Sequence, residues 1–179
     1  MATARTRQQM EGDVSMARDA EITTAQQAAN NRLVLAFGRL QGAANRLEYI
    51  LGRAIEDECG ISHVMFEVLL ILGRAGGQGM PMRAIAQERV LTTGGVTRLV
   101  DRMEAAQLVT RDGNPQDRRG RLVRLTTLGE ETVVRAARLH ADNVRRFLLE
   151  PLPPDHREQF TDDLKTVSFA ARDALPRLH

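Results

Sequence analysis

Arginine suits phosphate oxygens and guanine edges because its planar fork presents paired N–H donors to paired acceptors. Nine arginines lie between Pro81 and Thr126: Arg83, Arg89, Arg98, Arg102, Arg111, Arg118, Arg119, Arg121 and Arg124. Five acids share that stretch, Glu88, Asp101, Glu104, Asp112 and Asp117, so its balance is +4. The whole chain carries +2, which leaves −2 for the remainder. A positive module on a slightly negative body is the electrostatic layout that phosphate binding requires. Of the 25 basic residues only Lys165 is a lysine, a bias that a GC-rich coding sequence also produces.

The spacing of these arginines is more informative than their number. Val96, Leu99, Val100 and Met103 fall at i, i+3, i+4 and i+7, the apolar stripe of a short helix within Thr92–Ala106. Gly94, Gly95, Thr97, Arg98, Asp101 and Arg102 are left on the other face. Leu108–Arg111 and Arg121–Leu125 then read as two strands around a Gly/Asn/Pro loop at 112–120, an arginine-tipped hairpin. A groove-sized helix followed by such a hairpin is the order of a winged helix-turn-helix and points to duplex DNA. Thr97 and Arg98 are the base-edge candidates, with Arg102 beside them. Thr92 and Thr93 are candidate caps that also touch phosphate, and Gly95 with Gly94 permits close backbone approach. The bland alternative for this face is a solvated helix surface.

Elements on both sides must hold this unit. Residues 1–29 are polar, rich in Ala and Gln, and read either as an arm or as an extra N-terminal helix. From Arg32 to about Glu58 an apolar stripe runs through Leu33, Phe37, Leu40, Ala44, Leu47, Leu51 and Ile55, the mark of a long amphipathic helix ended by Gly60. Ser62 is the expected N-cap of a second helix, broken by Gly76-Gly77-Gln78-Gly79. Pro81 suits the first position of a short helix with Met82, Ile85 and Ala86 inward, followed by a turn around Arg89-Val90-Leu91. Thr127 with Glu130 resembles a capping box opening a helix to about Leu149, whose stripe includes Val133, Ala137, His140 and Val144. Pro151, Pro153 and Pro154 end it. Asp155 with Glu158 is a second box-like start, for a last helix faced by Phe160, Leu164, Val167 and Ala171.

The expected fold is therefore mainly α with a small β-hairpin, a winged helix-turn-helix with long N- and C-terminal dimerisation helices. Its parts are an arm at 1–29, a dimerisation helix at 30–60, the winged unit at 61–126 and C-terminal dimerisation helices at 127–179. The flanking helices carry more apolar face than one thin lobe buries, so a homodimer is expected. No run approaches the roughly 18 apolar residues of a membrane span. The N-terminus lacks an apolar signal segment, and the one cysteine, Cys59, cannot form an internal disulfide, so a cytoplasmic location is expected.

Asp117-Arg-Arg-Gly-Arg-Leu-Val-Arg-Leu-Thr126, with Gly129 shortly after, resembles the wing signature of the multiple-antibiotic-resistance regulator (MarR-type) family. Val96-Thr-Arg-Leu-Val-Asp-Arg-Met-Glu104, followed by Leu108-Val109, resembles that family's recognition helix and first wing strand. The resemblance spans about 32–175. It implies a dimer on a pseudo-palindromic operator, usually a repressor, released by a small aromatic or phenolic ligand held between the dimer helices and the winged lobe. In the wing, Asp117 and Arg119 match the family's Asp-x-Arg pair, whose carboxylate is expected to hold an arginine and stiffen the tip. Arg118 and Arg121 are then free for the minor groove or for phosphates. Gly94-Gly95 is helix-poor for a recognition helix, and Gln107 stands where a turn glycine is common. The tryptophan of the urate-responsive branch is absent.

Arg46, Tyr49, His63, Met65 and Phe66 lie where such an effector would bind, although Phe66 by its period is more often a core residue. A redox role for Cys59 is an alternative, set against Glu56, Asp57 and Glu58, which would raise its pKa. Another is an architectural DNA binder without base readout. His63, His140, His156 and His179 lack metal-ligand spacing, so neither metal nor cofactor is expected. The chain shows no Gly-rich phosphate loop after a strand, no nucleophile elbow and no carboxylate–histidine set, so no enzyme is expected.

Overall fold

The computed structural model describes the backbone of residues 22–89, 93–114 and 117–175, and the side chains of all of these except 89, 93, 114 and 117–119. The chain divides into two compact units, Met1–Arg46 and Leu47–His179.

In the first unit a capping box opens α1 (Ala25–Asn30). Thr24 Oγ1 accepts from the Gln27 backbone N–H at 3.2 Å, and Gln27 Oε1 accepts from the Thr24 N–H at 3.1 Å. An ordered turn of helix thus exists at the end of the segment that composition left undecided. Asn31 leaves the helical region, and its Oδ1 accepts from the N–H groups of Leu33 and Val34 at 2.9 and 3.2 Å. That caps α2 (Arg32–Cys59), which begins in this unit and runs into the second. Its expected stripe splits in two: Leu33, Phe37 and Leu40 are exposed, whereas Leu51 and Ile55 are buried.

The second unit holds the core. Gly60, at φ +70°, reverses the chain after α2. Ser62 Oγ accepts from the Met65 N–H at 3.3 Å and so opens α3 (His63–Ala75), as its sequence position indicates. Gly76 and Gly79 bracket a single 3-10 turn, both at positive φ. Chain then pairs as a short strand β1 (Met80–Pro81) before α4 (Met82–Arg89). Pro81 is therefore the last strand residue rather than the first helical one; it has no N–H to donate, and its place at the edge of a sheet costs nothing. After α5 (Thr93–Ala105) come β2 (Val109–Asn114) and β3 (Asp117–Leu125). The sheet is antiparallel in the order β1-β3-β2, with Met80 opposite Val123 and Val109 opposite Leu125. The hairpin strands reach further into 112–120 than alternation alone indicates, with a register shift at Gly113/Asn114.

α6 (Thr127–Val144) continues as a π-helical segment, Arg145–Leu149. The cap of α6 is Thr126, not Thr127: its Oγ1 accepts from the Gly129 N–H at 2.9 Å and donates to the Gln107 carbonyl at 2.6 Å. The preference for Thr126 comes from this second bond, which ties the helix start to the wing root. Pro154–His156 forms a 3-10 turn ahead of α7 (Arg157–Ala174), and no side-chain cap bond opens it, so the Asp155/Glu158 box does not form. Phe66, Leu69, Ile85, Val96, Val100, Met103, Val109 and Val123 are almost wholly buried in one cluster, the seat on which α5 and the hairpin rest. No single described helix is long and apolar enough to cross a membrane.

Candidate nucleic-acid interface

α5 faces inward through Val96, Leu99, Val100 and Met103, each less than a tenth exposed. A buried stripe fixes the rotation of the helix, and Thr97, Arg98, Asp101 and Arg102 are consequently exposed on the opposite side. Arg98 and Arg102 are one turn apart. Gly94 and Gly95 are also exposed, and a Cβ at Gly94 would meet nothing within 4 Å, so that glycine leaves room in front of the helix start. Thr92 lies outside the described residues. Thr93 begins α5, and its side chain is outside them as well.

Two arginines on the hairpin occupy three acids of this unit. Arg111 on β2 pairs with Asp101 Oδ1 at 2.5 Å and Glu104 Oε2 at 3.1 Å, and donates to the Thr97 carbonyl at 3.4 Å. Arg124 on β3 pairs with Asp112 Oδ2 at 2.7 Å and donates to the Gly77 and Gln78 carbonyls at 3.0 and 3.2 Å. Its stem lies over Gly79, where an added Cβ would fall 2.6 Å from Arg124 Cγ and 2.8 Å from the Val123 carbonyl oxygen. Among the described residues, Arg98, Arg102 and Arg121 carry no ion pair. These pairs cancel three carboxylates and leave uncompensated guanidinium groups on the outer face of α5 and on β3. Sequence alone counts these charges but does not sort them, because the sorting depends on cross-element contacts.

Arg121 is exposed on β3, opposite Gly113. Asp117, Arg118 and Arg119 belong to the same strand, and the expected Asp117–Arg119 pair lies outside the described side chains. Gln107 takes φ +59°, the left-handed conformation a turn glycine would supply, so the non-glycine residue adopts the turn anyway.

Of the expected effector residues, Arg46 ends the first unit, and Tyr49, His63, Met65 and Phe66 belong to the second. Met65 and Phe66 are core residues, 7 and 1 % exposed. Tyr49 is exposed on α2. Arg46 lies in the first unit with its guanidinium folded back along α2, 2.9 Å from where a Cβ on Gly42 would stand. His63 and Phe66 do come together, with a residue not singled out for this role. The His63 ring stacks on His140 of α6 at 5.7 Å between centroids and 26° between planes, and Phe66 lies 6.2 and 5.1 Å from the two. The signal was present as a histidine inside the apolar stripe of α6. Burial, and then the electrostatic influence of the neighbouring His63 ring, push the His140 pKa below its ordinary value. Cys59 is buried at the end of α2. Among the described residues no group of three or more His, Cys, Asp and Glu is placed to hold a metal ion.

Residues 60–120 match the family model described as the MarR family. The chain is 28 % identical over 120 residues to the uncharacterized HTH-type transcriptional regulator YkoM of Bacillus subtilis (strain 168), covering 67 % of this chain and 76 % of that protein. It is also 28 % identical over 113 residues to the HTH-type transcriptional regulator MhqR of the same organism, covering 63 % and 76 %. Among solved structures it resembles Sco3205, a MarR family transcriptional regulator from Streptomyces coelicolor in complex with DNA, at a TM-score of 0.70 and 27 % identity, covering 86 % of this chain and 94 % of that one.

Proposed function

The chain belongs to the MarR family of winged helix-turn-helix regulators, and on that premise we propose that it binds a pseudo-palindromic operator in duplex DNA as a homodimer and represses transcription. The observation that carries this reading is the sorting of charge on α5. Arg98 and Arg102 project from the outer face without ion pairs among the described residues, while Arg111 holds Asp101 and Glu104 from the side. In this reading α5 enters the major groove, where Arg98 bridges guanine O6 and N7 and Thr97 contacts a neighbouring base. Arg102, Thr92 and Thr93 meet phosphates, and Gly95 lets the backbone approach. The wing, with Asp117, Arg118, Arg119 and Arg121, follows the adjacent minor groove. The likeness to a regulator solved in complex with DNA supports DNA as the partner.

Exposed Leu33, Phe37 and Leu40 on α2, and exposed Val167 and Phe169 on α7, support a homodimer built from 30–60 and 127–179, with 61–126 as the reading unit. Relief of repression by a small aromatic or phenolic ligand, in contact with some of Arg46, Tyr49, His63, Met65 and Phe66, rests on the family resemblance. A cytoplasmic location goes with this role.

Selection of binding sites from random duplexes with the purified protein, at two salt concentrations, tests the proposal. One enriched inverted repeat is expected. Enrichment of no sequence, with affinity falling steeply in salt, would replace it with an architectural DNA binder that touches phosphates only.

A further inference from the structure

His63 and His140 meet where α3, the first helix of the winged unit, packs on α6. Their rings are stacked, Phe66 closes a third side, and both Nδ1 atoms are buried with no hydrogen-bond partner among the described residues. Behind His63 stands Gly52 of α2, where an added Cβ would lie 3.3 Å from the His63 Cβ, so α2 backs this histidine closely. We propose that this pair is a proton-operated joint: neutral, it holds α3 to α6, and protonated, it lets them part.

The physical reason lies in the nitrogens. A neutral imidazole leaves one ring nitrogen bare, which is tolerable in a buried position. An imidazolium donates from both, so a proton taken from solvent makes the buried Nδ1–H of His140 a charged donor with no acceptor. A second positive ring in a stack of 5.7 Å adds repulsion. The charged groups around the pair are few. On α3, Glu67 lies one turn on from His63. On α2, Gly52 offers only backbone, and Glu56 is turned outward to Arg53 at 3.2 Å. On α6 the positions one turn either side of His140 are Ala136, Ala137, Asn143 and Val144.

The lowered His140 pKa fixes the direction of the effect. Between the ordinary imidazole value of about 6.5 and the lower folded value, the unfolded or opened chain binds more protons than the closed one. Closure therefore weakens as pH falls through that window and is unaffected above it. A consequence for DNA follows where the preceding proposal holds, since α3 carries the reading unit and α6 leads away from it. The joint itself does not depend on that proposal.

The test is hydrogen exchange on the full chain at pH 7.5 and 5.5, corrected for the chemical exchange rate. Residues 63–68 and 136–141 are expected to open up to about tenfold more at pH 5.5, the limit set by lying one pH unit below the ordinary imidazole value, and His140→Phe is expected to remove that gain. Equal opening at both pH values overturns the joint, as does the same gain in His140→Phe. If that variant does not fold, the imidazole resonances of the native protein decide: a His140 midpoint at or above 6.5 overturns the proposal. With a selected duplex as probe, native affinity is expected to fall by up to about tenfold from pH 7.5 to 5.5 while His140→Phe stays level. Equal falls in both would sever the joint from DNA. Absence of native binding at pH 7.5 would sink the DNA reading, and exchange would still decide the joint.

Discussion

Arg111 on the first wing strand holds Asp101 on α5 at 2.5 Å, across ten positions of chain and a turn at Gln107. The same guanidinium reaches Glu104 and the Thr97 carbonyl, so one side chain spans two turns of the helix at its outer edge. Both acids are partly exposed, and water screens the pairs: their net worth to stability is about 0–1 kcal/mol. Their effect on geometry and on surface charge is larger. Arg111→Ala is expected to leave the melting temperature nearly unchanged while lowering operator affinity, because two carboxylates are uncovered beside the phosphates. Asp101→Asn with Glu104→Gln in the same background should restore much of that affinity. Unchanged binding by the single variant, measured by fluorescence anisotropy, would show that the pair does not shape the interface.

Arg98 and Arg102 share a face but differ in expected role. Arg98→Ala is expected to lose roughly 1–3 kcal/mol on the selected site and to relax preference at one base pair. Arg102→Ala is expected to weaken binding to all sequences alike and to reduce the salt slope by about one. Competition assays against single-base variants of the site distinguish the two. Equal, sequence-independent losses would make both phosphate contacts.

Gly129 packs on the wing root so closely that an added Cβ would overlap the Leu108 carbonyl oxygen. The obstacle is the Leu108 backbone, which cannot yield as a flexible side chain would. Gly129→Ala is expected to destabilise the protein by about 1–3 kcal/mol, the usual cost of overpacking. Thermal melts with native-like circular dichroism would record it, and an unchanged melt would mean that the helix start shifts freely.

Phe37, two-thirds exposed on α2, is the largest apolar group on that face. If the face is covered by a second copy, Phe37→Glu is expected to convert the dimer to a monomer in sedimentation equilibrium, with operator affinity reduced by loss of the second half-site. A native protein that sediments as a monomer would remove the dimer from the proposal.

The parts legible in sequence are those governed by local periodicity. The stripe of α5, the Ser62 cap and the stop at Gly60 follow from residue type and spacing alone, and all three are found in the fold. β1 was not legible, because two residues carry no alternation, and Pro81 signals a helix start as readily as a strand edge. Adjacent threonines at 126 and 127 are equivalent caps until the Gln107 carbonyl, nineteen positions back, selects Thr126. The His63–His140 stack was equally hidden, since each histidine has an ordinary local setting and only the packing of α3 on α6 brings them together. At the interface, arginine spacing marked the right elements, while the division into paired and unpaired guanidinium groups required the hairpin to be folded.

The Thr126 node also bears on the order in which the chain acquires its structure. Thr126 donates its N–H to the Leu108 carbonyl and its hydroxyl to Gln107, closing a ring of nineteen positions around the hairpin. A loop that short loses little entropy on closure, whereas the contact of Phe66 with His140 has a far longer stretch of chain to close. The hairpin and the first turn of α6 are therefore expected to assemble early, with α3 docking late. In kinetic terms, Thr126→Ala should slow folding, and truncations at the α3–α6 contact should chiefly speed unfolding. A regulator built this way would lose its joint before its reading head, and would refold around a wing already formed.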